Sequence, residues 1–388
     1  SIPLSTVQLS FEQLGILGGQ YKKVDVTLNR LARDWEGSMF CAGAEGDFTI
    51  PKNLKGNRPV KLRFKKVHVW HDLTEEGSVE EEEKSFDLPL PSTLPPIHAD
   101  IESLIYNGED VGKLTLRTQK QKVGLLLNEL SLQSKNIDFK ATGSWVENPV
   151  QKSDIKFHFN TPNISRVMSK LGFSETLKGG KLSAASSLNW LGTPMDLGWE
   201  KLLGKVDLVV TDGRFLDIEP GVGRAFGLLS LETITRRLTL DFSDLVKKGF
   251  AFDSIMGQLS FEDGNLYTSN LMMKGPAANV SILGDTNLIT KEYDQLVTVV
   301  PKLTSSLPLA VTIANPVAGL GVFVAQQVVG DEIDKTVKIM YAVEGTWDQP
   351  KVTKMDQPPL EREGLLKRLL PDFKFDEMKD DVLLEDEF

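Results

Sequence analysis

Apolar and polar residues alternate with period two along most of this chain, and that period marks a strand with one buried face. Residues 249–264 read GFAFDSIMGQLSFEDG. Phe250, Phe252 and Ser254 fall on one face there, and Leu259 and Phe261 continue the alternation after a glycine. Asp263-Gly264 signals a hairpin, because both residue types accept positive φ. NLYTSNLMMKGP follows, ending in a Gly275-Pro276 turn, and then AANVSILGD, in which Val280 and Ile282 alternate. The same pattern recurs at 206–210 before an Asp212-Gly213 turn signal, and at 238–242, 113–117 and 61–69. Turn signals come every ~8–12 residues, the spacing of an antiparallel all-β protein.

A weak repeat runs through these strands. Trp145 is followed by Pro149, Trp190 by Pro194 and Trp347 by Pro350. Each pair reads as a strand ending on Trp with a Pro-marked turn behind it, either as stacked hairpins of one elongated sheet or as ordinary strand-end chemistry. Helical spacing is rare. Residues 163–171 fit a short helix capped by Asn163 or Ser165. Residues 222–235 carry apolar side chains at helical spacing, and 360–370 form an amphipathic stretch that stops at Pro371. Residues 303–330 carry no charge, but Pro308 and Pro316 interrupt them. That leaves 317–329 as a continuous helix, with Val317, Leu320, Val322, Phe323 and Val324 on it. A transmembrane span needs ~20 apolar residues, so this segment reads as a packed cap or as a helix that touches a membrane.

Two stretches are acidic. Residues 75–83 hold six glutamates and read as a solvated hairpin loop within an acidic segment at 72–87; residues 371–388 hold eight acids against Lys374 and Lys379 and read as a mobile tail. The expected organisation is β-hairpins over 1–160, a β-groove with helices near 163–171 and 222–235 over 161–300, an apolar cap and final strand over 301–350, and a helix and tail over 351–388.

Composition narrows the function. The 388 residues include 44 Lys and Arg against 54 Asp and Glu, a net charge of -10, which argues against a nucleic-acid partner. The single cysteine, Cys41, excludes an internal disulfide and a cysteine-based zinc site. Ser1 opens the chain with no initiator Met and no basic-then-apolar leader, so the expectation is a fragment or processed product.

Catalytic motifs are missing. His68 and His71, with Asp72, imitate a metal site but are three apart in a strand-to-loop segment, so an exposed pair is the simpler reading. Nucleophile elbows, paired metal-binding histidines and phosphate loops do not occur. Gly221, Gly223 and Gly227 miss the dinucleotide spacing. No enzyme, metal or cofactor is expected. One physical problem remains: a long sheet with one apolar face must cover that face. Helices are too few to do so. Either a second sheet packs on it, or the sheet curls into a groove whose lining meets a ligand. About 16–18 strands at ~4.8 Å would make a trough of ~75–85 Å.

GVGRAFGLLSLETITRRLTLDFSDLVKKGFAFDSIMG, KGPAANVSILGDTNL, YDQLVTVVPKLTSSLP and YAVEGTWDQP resemble the C-terminal region of the YhdP-type AsmA-like family of Gram-negative envelope proteins. The run from Arg236 and Arg237 through Asp244, and then 249–253, carries most of the likeness. It is firm over 180–350 and looser over 95–180. The resemblance implies a mainly β fold: an elongated, curled antiparallel sheet forming an apolar groove, similar to bridge-like lipid transfer proteins. It implies non-enzymatic phospholipid transport between inner and outer membrane, supporting the outer-membrane permeability barrier. It places the chain in the periplasm, as part of an inner-membrane-anchored protein whose C-terminal end points to the outer membrane.

On that resemblance, Leu238, Leu240, Phe242, Phe250, Phe252, Leu259, Phe261, Val280 and Ile282 are the expected groove lining. Arg236 and Arg237 are the candidates to meet lipid phosphates, with a salt bridge to Asp241 or Asp244 as the alternative. Helix 317–329 is the candidate cap or membrane-touching element. Phospholipids are the expected partners. The rival is a periplasmic scaffold or assembly factor that binds outer-membrane components through β edges.

Overall fold

The structure, a computed structural model, describes residues 5–16, 19–69, 89–171, 177–216, 250–302 and 338–355. It is one 18-stranded sheet. The strands are β1 (Thr6–Ile16), β2 (Gly19–Arg30), β3 (Asp34–Cys41), β4 (Ala44–Pro51), β5 (Val60–Val69) and β6 (Ile97–Tyr106). Then come β7 (Glu109–Gln121), β8 (Gly124–Gln133), β9 (Asp138–Val146), β10 (Lys152–Thr161), β11 (Leu177–Leu191) and β12 (Leu203–Phe215). The last six are β13 (Phe250–Glu262), β14 (Asn265–Lys274), β15 (Ala278–Asn287), β16 (Glu292–Pro301), β17 (Ile339–Thr346) and β18 (Pro350–Met355). Each strand pairs with the one before and the one after it in sequence. The expected mainly β architecture, a long open curled sheet with few helices, is what forms.

All pairings are antiparallel except β5–β6, which is parallel. This corrects the acidic segment's assignment as a hairpin loop. A hairpin joins adjacent ends of antiparallel strands, whereas a parallel pair needs a connection that returns along the strand length. Residues 70–88 themselves lie outside the described residues. A second correction concerns Asp212-Gly213, read from sequence as a turn. The dipeptide sits inside β12, where Asp212 takes a positive φ of 58° and β12 pairs on both sides of it. Asp263-Gly264 does make the β13–β14 hairpin, with φ of 48° and 75°. The Trp–Pro pairs mark the ends of β9, β11 and β17 as expected.

One helix, α1 (Ile164–Lys170), is present among the described residues, beside a single 3-10 turn at Pro91–Thr93. Asn163 caps α1 by accepting a hydrogen bond from the Arg166 amide at 3.1 Å. Lys170 at its far end meets Glu109 at 3.2 Å and donates to the Asp110 carbonyl at 2.8 Å. The helix thus ties the β10–β11 connection to the β6–β7 turn, which draws the sheet into a curl at that rim. None of the described helices is long and apolar enough to cross a membrane.

Alternating strand direction sorts the connections onto two rims. The first rim carries the connections at 31–33, 52–59, 122–123, 147–151, 192–202, 263–264, 288–291 and 347–349. The second rim carries α1, and both long connections, 216–249 and 302–338, leave and rejoin the sheet there.

Candidate functional site: an apolar face along the whole sheet

Register converts the period-two pattern into two continuous faces. One cross-strand row runs Leu9, Val26, Met39, Gly46, Phe64, Ile101, Leu114, Leu132, Phe139, Phe159, Ala184, Leu208 and Gly257, each paired with the next on the neighbouring strand. Gly257 abuts Leu271, and the row continues through Ile282, Val297 and Tyr341. Seventeen strands contribute, and none contributes a charge. The row one residue over runs Gln8, Thr27, Ser38, Asp47, Arg63, Asp100, Thr115, Ser131, Lys140, His158, Ala185, Asp207 and Gln258. Ala185 is its one apolar member. Successive residues point to opposite faces, so over β1–β13 the sheet is apolar on one side and polar on the other. On β15–β18 the opposite face carries a small apolar cluster of its own, Leu283 and Leu296 with Met340 and Met355.

The apolar face is not uniform. Over β2–β12 most of its row members are half-buried: Val26, Phe64, Ile101, Leu114, Leu132, Phe139, Phe159 and Leu208 all keep some exposure. From β14 onward it is packed shut, with Leu271, Ile282, Val297 and Tyr341 no more than 2% exposed. The buried cluster there takes side chains from every strand from β11 to β17. Two buried polar side chains in this part are paired: the Gln295 amide donates to Thr286 Oγ1 at 2.6 Å, and Thr268 Oγ1 donates to the Gln258 carbonyl at 3.1 Å.

Curvature is built from side chains as well as from backbone twist. The Tyr21 hydroxyl reaches across β3 and β4 to donate to the His68 carbonyl at 2.7 Å. Burial pushes the Tyr21 phenol up from its usual range, with a smaller push from Cys41. Burial, helped by Lys66, pulls the His68 imidazole down. Glycines let phenylalanine rings lie flat. A Cβ on Gly37 would stand 2.6 Å from the Phe48 ring, and one on Gly46 2.6 Å from the Phe64 ring. Phe252 covers Gly213 in the same way.

The residues nominated from sequence divide three ways. Phe250, Phe252, Leu259, Val280 and Ile282 are buried on the apolar side, within the packed part of the face. Phe261 is partly buried against the Leu259 cluster. Leu208 and Trp347 touch both clusters, so all six belong to one surface. The alternation slips by one residue after Phe252, so that Ile255 rather than Ser254 joins them. Leu238, Leu240, Phe242, Arg236 and Arg237 lie outside the described residues, as do Val317, Leu320, Val322, Phe323 and Val324. His71 lies outside them too. His68 sits in β5 on the curl, and His158 faces the polar side. Among the described residues, no group of three or more His, Cys, Asp or Glu side chains is placed to hold a metal ion.

Sequence reasoning concentrated on the C-terminal strands and missed Phe64, Leu114, Phe139 and Phe159, where the face is more open. The signal was there: FKATG and KFHFN alternate as cleanly as FAF does. Missing was the knowledge that their apolar positions share one side.

A single curled sheet with one continuous apolar face, partly exposed over β2–β12 and packed from β14 onward, has the form of a β-trough. Residues 1–352 match the family model described as YhdP protein, and the chain belongs to that family. Over 222 residues it is 26% identical to the intermembrane phospholipid transporter YhdP of Escherichia coli (strain K12), an alignment covering 56% of this chain and 18% of that relative. The aligned stretch is thus under a fifth of the relative's length. No solved structure matches.

Proposed function

We propose that this chain is a non-enzymatic segment of a phospholipid conduit, in which acyl chains lie along the apolar face of β1–β12 while headgroups stay at the rims. The observation that carries it is the uncharged row from Leu9 to Tyr341, most of whose members over β2–β12 keep some exposure. Each methylene removed from water contributes about 0.8 kcal/mol, so a chain of about fifteen is held by about 12 kcal/mol without any polar contact. Such a site needs hydrocarbon surface and no catalytic group. The relative's role as an intermembrane phospholipid transporter supports the same reading. Seventeen strand spacings give a path of ~80 Å. The nominated Phe250, Phe252, Leu259, Phe261, Val280 and Ile282 act on this proposal as the packed end of the trough. Arg236 and Arg237 act as headgroup contacts and 317–329 as its cap. The chain works in the periplasm within an inner-membrane-anchored protein, its C-terminal end towards the outer membrane, and supports the permeability barrier.

The test is mass spectrometry of lipids that co-purify with the chain, followed by Phe139→Glu and Phe159→Glu. Stoichiometric phospholipid that is lost in both variants is the expected result. A lipid-free protein, or variants that keep their lipid and sustain envelope integrity, overturns the proposal and leaves the scaffold alternative.

A further inference from the structure

Among the described residues, exposed apolar side chains are distributed unevenly. Of the fourteen large ones that are well exposed among the described residues, nine sit on the first-rim connections or on the strand residues beside them, and Phe40 of β3 stands next to the 42–43 turn of the second rim. They are densest where residues 191–203 and the β15–β16 turn come together. There Met195 is 74% exposed, Leu197 58% and Ile289 57%, with Trp199 close behind. The two connections are neighbours, since the space beside Gly264 is bounded by Ile289 on one side and Glu200 on the other.

These tips are held out by rigid loops. Asp196 Oδ2 accepts the Thr193 amide at 2.7 Å, and the buried Trp190 donates its indole N–H to the Thr193 carbonyl at 2.7 Å. Ser153 Oγ donates to the Gly192 carbonyl, and Leu202 is buried at the far end. In the β15–β16 turn, Asn287 Oδ1 accepts both the Ile289 and the Thr290 amides. Water therefore meets preformed apolar projections whose exposure the fold maintains at a hydrophobic cost.

We infer that this part of the first rim, loop 191–203 with the β15–β16 turn, is a membrane-contact surface that sinks its apolar tips into the interfacial layer of a bilayer of uncharged, zwitterionic phospholipids. The inference rests on the lipid traffic proposed above and adds the place where a bilayer meets the trough. Three observations select this occupant. Trp199 stacks on Phe261, with centroids 6.2 Å apart and planes 15° apart, and Phe261 belongs to the apolar-face cluster, so hydrocarbon contact is continuous from rim to trough. Projecting single tips suit a fluid interface, where an amphipathic indole settles at headgroup depth; a protein partner needs a broad complementary area of about 800 Å² per side. Residues 191–203, 262–265 and 287–292 carry Asp196, Glu200, Glu262, Asp263 and Glu292 against Lys201 and Lys291, with Lys152 opposite Leu191 as a third cation; this acidic balance disfavours anionic headgroups.

The full chain is mixed with phosphatidylcholine vesicles, and with vesicles in which a third of the lipid is phosphatidylglycerol, at physiological salt. Binding is read by co-sedimentation and by quenching of tryptophan emission with brominated acyl chains. The expected result is binding to the zwitterionic vesicles, weaker on the anionic ones. The double variant Met195→Asp/Leu197→Asp loses it at least tenfold, and Trp199→Phe removes most of the quenching. Both replaced side chains are exposed, and an unchanged circular dichroism spectrum checks the fold. Undiminished binding by the double variant overturns the inference, as does wild-type protein that ignores both vesicles. So does a self-association that the variant abolishes while vesicle binding stays nil. Lipid retained by the double variant in mass spectrometry, with vesicle binding lost, separates this surface from the trough. A chain that never carries lipid sinks the conduit, whatever the vesicles show.

Discussion

Tyr21 on β2 donates its hydroxyl hydrogen to the backbone carbonyl of His68 on β5, three strands away, at 2.7 Å. Flat strands spaced at ~4.8 Å would put those two elements ~14 Å apart, beyond the reach of a tyrosine side chain. The contact therefore exists because the sheet is curled, and it holds the curl. Met39, Cys41 and Ala44 form the floor beneath it. Tyr21→Phe should leave the packing intact and remove one partly buried hydrogen bond, lowering stability by about 1 kcal/mol. Urea denaturation measures this. A chain as stable as the parent would show that the strut is dispensable.

Phe252 lies over Gly213, and a side chain at 213 has nowhere to go, because Phe252 is 3% exposed and held in the central cluster. Gly213→Val should destabilise the chain by about 1–3 kcal/mol through overpacking. Pairing it with Phe252→Ala should recover part of that loss, since the ring supplies the clash. The two single variants and the double form a thermodynamic cycle in urea. Strict additivity would contradict the contact.

The two parts of the apolar face should respond differently to truncation. Leu271→Ala in the packed part leaves a cavity and should cost about 2–5 kcal/mol. Leu114→Ala in the open part removes a side chain that already meets solvent, so well under half of that loss is expected. Lipid retention should reverse the order, with Leu114→Ala the more damaging. Equal stability losses would mean that the face is packed uniformly.

Acidification should loosen the loop at the first rim. Asp196 has its carboxyl below the usual carboxylate range, chiefly because it accepts the Thr193 backbone amide, with the Thr193 side chain and Lys201 assisting. A depressed carboxyl contributes its stabilisation above the unfolded-state value and loses it as pH falls through the folded one. The protection factor of the Thr193 amide, the slowing of its exchange relative to an unstructured amide at the same pH, should therefore be high at neutral pH and fall below the ordinary carboxylate range. Asp196→Ala should give low protection throughout. A protection factor that ignores pH in the parent protein would remove Asp196 from this role.

Local chemistry was legible without coordinates. Alternation located β13, β14, β15, β5 and β7, Asp263-Gly264 named its own hairpin, Asn163 announced its cap, and the Trp–Pro pairs marked strand ends. Each of these depends on residues within a few positions of one another. Asp212-Gly213 misled because the same dipeptide that closes a hairpin also fits inside β12, and the pairing of its neighbours decides which. The acidic segment misled for a related reason: nothing in its composition shows that β5 and β6 run parallel.

By itself, then, the order of residues determined that this chain makes strands with one greasy edge and one wet one, and where many of them turn. Only tertiary structure decided that Leu9, Phe64, Phe139, Leu208 and Tyr341 lie in a single row, that most of the row keeps some exposure over β2–β12 and is packed shut from β14 onward, and that among the described residues the exposed tips are densest on one rim. The physical reason is register. A shift of one residue between two strands exchanges their faces, and what forbids that shift is the summed burial of side chains far apart in the chain.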